Sequence, residues 1–157
     1  MGMGEGFERG LVDRTLGALA DVLGTDGATL TLFDDRDRPR AVAGSDDDGR
    51  RLELAQERTG SGPAVETLAH GADMAVDDLH AARPLGFPGL AAQVSEIHAV
   101  LSVPLRADDR LIGTLSFYDR TSHEWQPAKV RAGERLGELM VMVLQVLAHK
   151  SSTSGKS

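Results

Sequence analysis

The sequence predicts an α+β fold: a central antiparallel sheet of about five or six strands, with both terminal helices together on one face. Three observations carry this expectation. Residues 100–118, VLSVPLRADDRLIGTLSFY, form two alternating apolar runs joined by the polar turn Ala107-Asp108-Asp109-Arg110, which is a hairpin pattern. A second strand pair stands near the start: ATLTLFDD, the polar turn Asp34 to Arg38, then a short run from Arg40 to Ala43. Helical periodicity flanks both pairs, over Phe7 to Leu23 and from Pro127 to about His149.

Taken in order, residues 1–6 are glycine-rich and expected to be flexible. In the first helix Val12, Leu16, Leu19 and Leu23 share one face, and Gly24 supplies a stop. Asp26-Gly27 turns the chain into the first strand, where Thr29, Thr31 and Phe33 alternate with Leu30 and Leu32. After the second strand, Arg50 to Arg58 reads as a short helix. The turn Gly60-Ser61-Gly62-Pro63 then releases another helix, from about Ala64 to His70. Met74 to Val76 is a short strand, Asp77-Asp78-Leu79 a loop, and Gly86 to Val94 helical. The hairpin follows, and Pro127 suits the first turn of the last helix. Residues 150–157 are a polar tail expected to be disordered, leaving one domain over residues 7–149.

Composition excludes several functions. The absence of cysteine removes disulfides, thiolate zinc sites, Fe–S clusters and thiol nucleophiles. Seventeen basic against 24 acidic residues give a net charge of −7, and no basic stripe offsets it for a nucleic acid. The longest apolar stretch, Leu139 to Leu144 and then Val146 to Ala148, is too short to span a bilayer. The N-terminus lacks a signal pattern, so a soluble cytoplasmic protein is expected.

The motifs offer no catalytic set. There is no G-x-S-x-G elbow and no H-E-x-x-H, and Gly60-Ser61-Gly62-Pro63 lacks the Lys-Ser/Thr of a phosphate-binding loop. Asp46-Asp47-Asp48 lacks the alternating oxygen ligands of a calcium loop and reads as a solvated turn. His80 and His98 are the histidines with some claim to ligate haem or a metal, although neither has a partner at metal-ligand spacing. His70 and His123 read as the ends of a helix and of the hairpin.

This order of elements, with the words SVPLR and LIGTLSFY and the long final helix, resembles a GAF domain over residues 8–149. QERTGSGPAVETL and MAVDDL further resemble the actinobacterial GAF branch often followed by an RNA-binding antiterminator (ANTAR) domain, which the residues after His149 do not supply. Ala64 stands where that branch usually has a cysteine. The resemblance implies a non-enzymatic sensory module that binds a small molecule and reports through its terminal helices to a signalling partner. Bilin attachment and methionine sulfoxide reduction, known elsewhere in the family, need cysteines and are not expected. The Asn-Lys-Phe-Asp-Glu signature of cyclic-nucleotide-binding members is not recognisable. The alternatives are a ligand-free dimerisation or interaction module, and a haem sensor using His80 or His98.

Strand alternation separates the two faces of the sheet. Leu30, Leu32, Leu101, Val103, Leu105, Leu111, Leu115 and Phe117 make one apolar face. Thr29, Thr31, Phe33, Val100, Ser102, Ile112, Thr114, Ser116 and Tyr118 make the other, which is half hydroxyl-bearing. Buried hydroxyls need partners, so the second face is the one expected to meet a ligand. The resemblance puts the pocket under the middle helices, which adds Val65, Asp78, Leu79, Phe87, Leu90 and Val94 to the expected site. In the last helix Leu136, Leu139, Met140, Val143, Leu144 and Leu147 form one stripe, and Val141, Met142 and Val146 widen it beyond what a single contact needs. A homodimer is expected through Val12, Leu16, Leu19, Leu139, Met142, Val143 and Val146.

Overall fold

The chain folds, in a computed structural model, around one five-stranded antiparallel sheet in the order β2-β1-β5-β4-β3. The structure describes the backbone of residues 2–154 and the side chains of residues 9–150. The elements are α1 (Gly2–Leu23), β1 (Gly27–Phe33), β2 (Pro39–Gly44), α2 (Asp47–Thr59), α3 (Pro63–His70), β3 (Met74–Val76), α4 (Pro88–Ala91), β4 (Ala99–Ala107), β5 (Arg110–Asp119) and α5 (Pro127–Ser154).

Local chemistry sets most of the boundaries. Asp46 caps α2 by accepting from the Gly49 amide at 2.9 Å. Gly60 and Gly71 end α2 and α3 in the left-handed conformation, with φ of 64° and 68°. The β4–β5 turn has positive φ at both Asp108 (52°) and Asp109 (65°), as a two-residue hairpin turn matched to strand twist requires. Both terminal helices run further than their periodicity indicates. α1 includes residues 2–6, expected to be flexible, and α5 continues to Ser154, because a nucleated helix extends cheaply where no proline stops it. Met1 and residues 155–157 lie outside the described residues. Conversely, the helix expected over Gly86 to Val94 shrinks to four residues. The bonds Gln93 N–H to Leu90 and Val94 N–H to Ala91 are i→i−3, so this segment is a chain of turns feeding β4.

Two apolar layers cover the sheet. On one face α1 and α5 pack Val12, Leu16, Leu19, Leu136 and Met140 against Leu30, Leu101, Val103, Leu105, Leu115 and Phe117. Gly133 permits the close approach of α5, since a Cβ there would come within 2.9 Å of Leu101 Cδ2. On the other face α2, the turns around α4 and the sheet enclose Leu52, Ala55, Leu79, Leu90, Val94, Ile97, Val100 and Tyr118. The β4–β5 hairpin departs from simple alternation. A register shift between Leu105 and Arg106 pairs Arg106 with Leu111, and Ile112 packs on the α1–α5 layer in place of Leu111.

At the sheet's β3 edge Asp73 meets Glu134 of α5. Burial, then the charge of Glu134 and the hydrogen bond with it, push Asp73 up to about 6. The folded chain therefore retains a proton that the unfolded chain gives up, and stability falls as pH rises from about 4 through about 6. Asp73→Asn is expected to raise the melting temperature at pH 7.5 and leave it unchanged at pH 4. The gain stays below about 1 kcal/mol, because solvent screens a half-exposed pair. Thermal melts at the two pH values check this, and equal effects at both would contradict it.

Candidate functional site

The hydroxyl-bearing face of the sheet meets a carboxylate. β1 points Thr29 and Thr31 toward α2, where Glu53 accepts both hydroxyls at 2.5 Å, Thr29 on Oε1 and Thr31 on Oε2. Gln56, one turn further along α2, donates Nε2 to Glu53 Oε1 at 3.3 Å. Its Oε1 accepts the Ala64 amide at 2.9 Å, which settles the orientation of the side-chain amide and ties Glu53 to the start of α3. Both Glu53 and Gln56 are only 2 % exposed. Burial pushes the Glu53 carboxyl above the usual glutamate range, and the two threonine hydroxyls and Gln56 oppose that shift without cancelling it.

A cavity of about 60 Å³ opens beside this carboxyl, between β1, α2 and α3. Its wall joins Thr31, Glu53, Gln56, Glu57 and Gly60 to the apolar Pro39, Ala64, Val65 and Leu68. That volume holds several waters or a few heavy atoms. It is well below the several hundred Å³ that drug-sized ligands occupy. Further along the same face, Ser102 and Ser116 share a 2.6 Å hydrogen bond. The Thr114 hydroxyl is buried with no hydrogen-bond partner in the protein.

Of the side chains expected around a ligand, Thr31 and Val65 line the cavity, and Thr29 reaches it through Glu53. Ser102, Thr114 and Ser116 lie on the same face of the sheet without lining it. Leu79, Leu90, Val94 and Tyr118 pack with Leu52 and Ala55 of α2 in an apolar cluster, with Phe87 against it, and do not line this cavity. The Tyr118 hydroxyl donates to Asp46, and burial raises it far above the ordinary phenol range. Phe33 ends β1 opposite Pro39, half-buried, and does not line the cavity. Asp78 lies in the loop, where its Oδ1 accepts the His80 amide at 3.0 Å and meets His98 Nδ1 at 2.9 Å.

The two candidate haem ligands stack on each other with ring centroids 4.2 Å apart, and His80 Nε2 lies 3.0 Å from the Ile97 carbonyl oxygen. Neither lines the cavity. Among the described residues no group of three or more His, Cys, Asp or Glu could hold a metal ion, and no helix is long and apolar enough to cross a membrane. Asp46 and Asp48, expected in a solvated turn, stand at the N-cap and in the first turn of α2 and bind Arg120 at 2.8 and 3.0 Å.

The residues expected at a dimer interface divide in two. Val12, Leu16 and Leu19 are buried in the chain's own core, a correction that follows from α1 turning its apolar stripe onto the sheet. Val143 is partly buried on the same core. Leu139, Met142 and Val146 remain 50–65 % exposed along α5.

Sequence reading missed Glu53 and Gln56. The signal was present, because Gly49, Leu52, Glu53 and Gln56 fall on one side of α2, so a carboxylate and an amide share the buried stripe.

Comparison with known proteins agrees with this architecture. A family model for the GAF domain matches residues 7–145. Two curated relatives are anaerobic nitric oxide reductase transcription regulators, NorR, of Vibrio vulnificus strains YJ016 and CMCP6, each 29% identical over 110 residues. The match covers 66% of this chain and 21% of those regulators. The third GAF domain of Slr1393 from Synechocystis sp. PCC6803 superposes with a TM-score of 0.67 at 15% identity, covering 96% of this chain and 99% of that one. The PixJ GAF domain of Thermosynechococcus elongatus gives 0.65 at 18% identity, covering 98% and 94%. Free methionine-R-sulfoxide reductase from Neisseria meningitidis gives 0.67 at 16% identity, covering 91% and 81%. At these identities the structures attest the fold alone. With the family match spanning the whole sheet and most of both terminal helices, the chain belongs to the GAF domain family, a family of signalling and sensory domains.

Proposed function

We propose that this GAF domain is a non-enzymatic sensory module that binds a small molecule in the cavity between β1, α2 and α3. The observation that supports this reading is the buried Glu53 carboxyl lining a cavity that it shares with the apolar Pro39, Ala64, Val65 and Leu68. Burying a carboxyl is costly in a domain with no ligand to recognise. A ligand there would touch Thr31 of β1, and β1 pairs with β5, whose opposite face carries Leu115 and Phe117 under α1 and α5. Ligand binding shifts the terminal helices only if their two arrangements differ in ligand affinity, and this shared strand is the connection through which they could differ. Native mass spectrometry of protein purified from its own host tests the reading. A retained small-molecule adduct that is lost on denaturation is the expected result. A mass equal to the bare chain, together with no thermal stabilisation across a metabolite panel, would count against it.

A second reading is favoured by the exposed row Leu139, Met142 and Val146 on α5, which suits a homodimer or docking on a signalling protein. Sedimentation at high micromolar concentration is expected to give a dimer. Met142→Glu with Val146→Glu should shift it to monomer with the melting temperature of the protomer fold kept. A wild-type monomer would refute the dimer.

A further inference from the structure

We infer that the cavity between β1, α2 and α3 selects a compact organic cation, a short alkylammonium with one hydrogen-bonding head and an apolar body of a few carbons. The inference rests on the pocket reading above and specifies the ligand's chemistry.

The sign of the charge follows from the wall. Two carboxylates line the cavity, Glu53 at its base and Glu57 beside it, and no Lys, Arg or His does. Arg40 meets Glu57 Oε2 at 3.8 Å without lining the cavity. An anion entering here would face two acids in a poorly solvated space with no compensating donor, so phosphates and carboxylates are disfavoured.

The head group follows from the free valence of Glu53. Its Oε1 already accepts Thr29 and Gln56, whereas Oε2 accepts Thr31 alone. A carboxylate oxygen accepts two hydrogen bonds, so Oε2 has room for one more donor. An ammonium N–H supplies it as a charge-assisted bond, stronger than a neutral one. The size and the apolar body follow from the volume of about 60 Å³ and from Pro39, Ala64, Val65 and Leu68. Ala64 matters twice, because its small side chain leaves the space open and its amide is held by Gln56, which also contacts Glu53. Occupying the site therefore couples the carboxyl to the position of α3.

The test titrates the full chain, ¹⁵N-labelled, with propylammonium, 1-propanol and propionate, and follows the amides of Thr31, Gln56, Ala64 and Val65. Saturable shifts with propylammonium, at least tenfold tighter than with either of the others, are expected. Glu53→Gln should weaken that binding tenfold or more. Val65→Phe, which fills the mouth of the cavity and leaves Glu53 in place, should abolish it with the remaining amide spectrum unchanged. Tighter binding of 1-propanol or propionate at the same amides would overturn the cation assignment and leave the pocket reading standing. No shift at these amides with any of the three probes would overturn both.

Discussion

Phe117→Ala is expected to destabilise the domain by about 3–5 kcal/mol. Phe117 is fully buried in the middle of β5, under the layer formed by α1 and α5. Its ring lies beside Gly133, where α5 comes closest to the sheet, so the void would open directly beneath the last helix. A domain this size has roughly 5–15 kcal/mol in total, so the melting temperature should fall by about 10 °C or more. Differential scanning calorimetry checks this, and a fall below about 3 °C would mean that α5 does not pack on β5 as described. Near-ultraviolet circular dichroism should change with it, because Trp125 belongs to the same buried cluster.

On the opposite face, the double replacement Thr29→Val with Thr31→Val is expected to cost about 1.5–3 kcal/mol for each hydroxyl when Glu53 is ionised. Valine keeps the β-branched shape and the strand preference of threonine, so the loss isolates the two 2.5 Å hydrogen bonds to Glu53. The effect depends on pH with a definite sign. Glu53 already holds its proton more tightly in the folded chain than in the unfolded one, so its contribution to stability is greatest at low pH and declines as pH rises through the folded value. Removing two donors that favour the ionised form raises that folded value further. The double variant should thus lie close to wild type at low pH and fall away from it as pH rises. Adding Glu53→Gln should remove most of that divergence. Parallel stability curves for wild type and double variant at all pH values would show that Glu53 is not the partner of these hydroxyls.

The sheet was legible because one face of it is uniformly apolar. Leu30, Leu101, Val103, Leu115 and Phe117 share a parity that burial by α1 and α5 enforces, and a slip of one residue would expose them all. The exchange of Leu111 for Ile112 was not legible, since a register shift adds a residue to one strand without any mark in composition. The segment from Gly86 to Val94 misled because its apolar residues suit a helix, yet turns bury Leu90, Ala91 and Val94 just as well. The site was half legible. Threonines at alternate positions on β1 marked the face that meets Glu53, but that residue sits 22 and 24 positions away on α2. Strand alternation cannot reveal such a partner, whereas an acid on the inward stripe of a helix could have. The dimer residues were ambiguous for a different reason. An apolar stripe tells that a helix face is covered and not by what, so the inward Val12, Leu16 and Leu19 looked the same as the outward Leu139, Met142 and Val146.

The proposed site depends on Glu53 being held out of water beside a cavity that a ligand can enter. The most direct measurement is the pH titration of its side-chain carboxyl carbon by NMR, assigned by comparison with Glu53→Gln. The expected midpoint is displaced upward from the ordinary glutamate range, as desolvation by burial requires. A midpoint within or below that range would place the carboxyl in solvent or against a cation, and would contradict the site described.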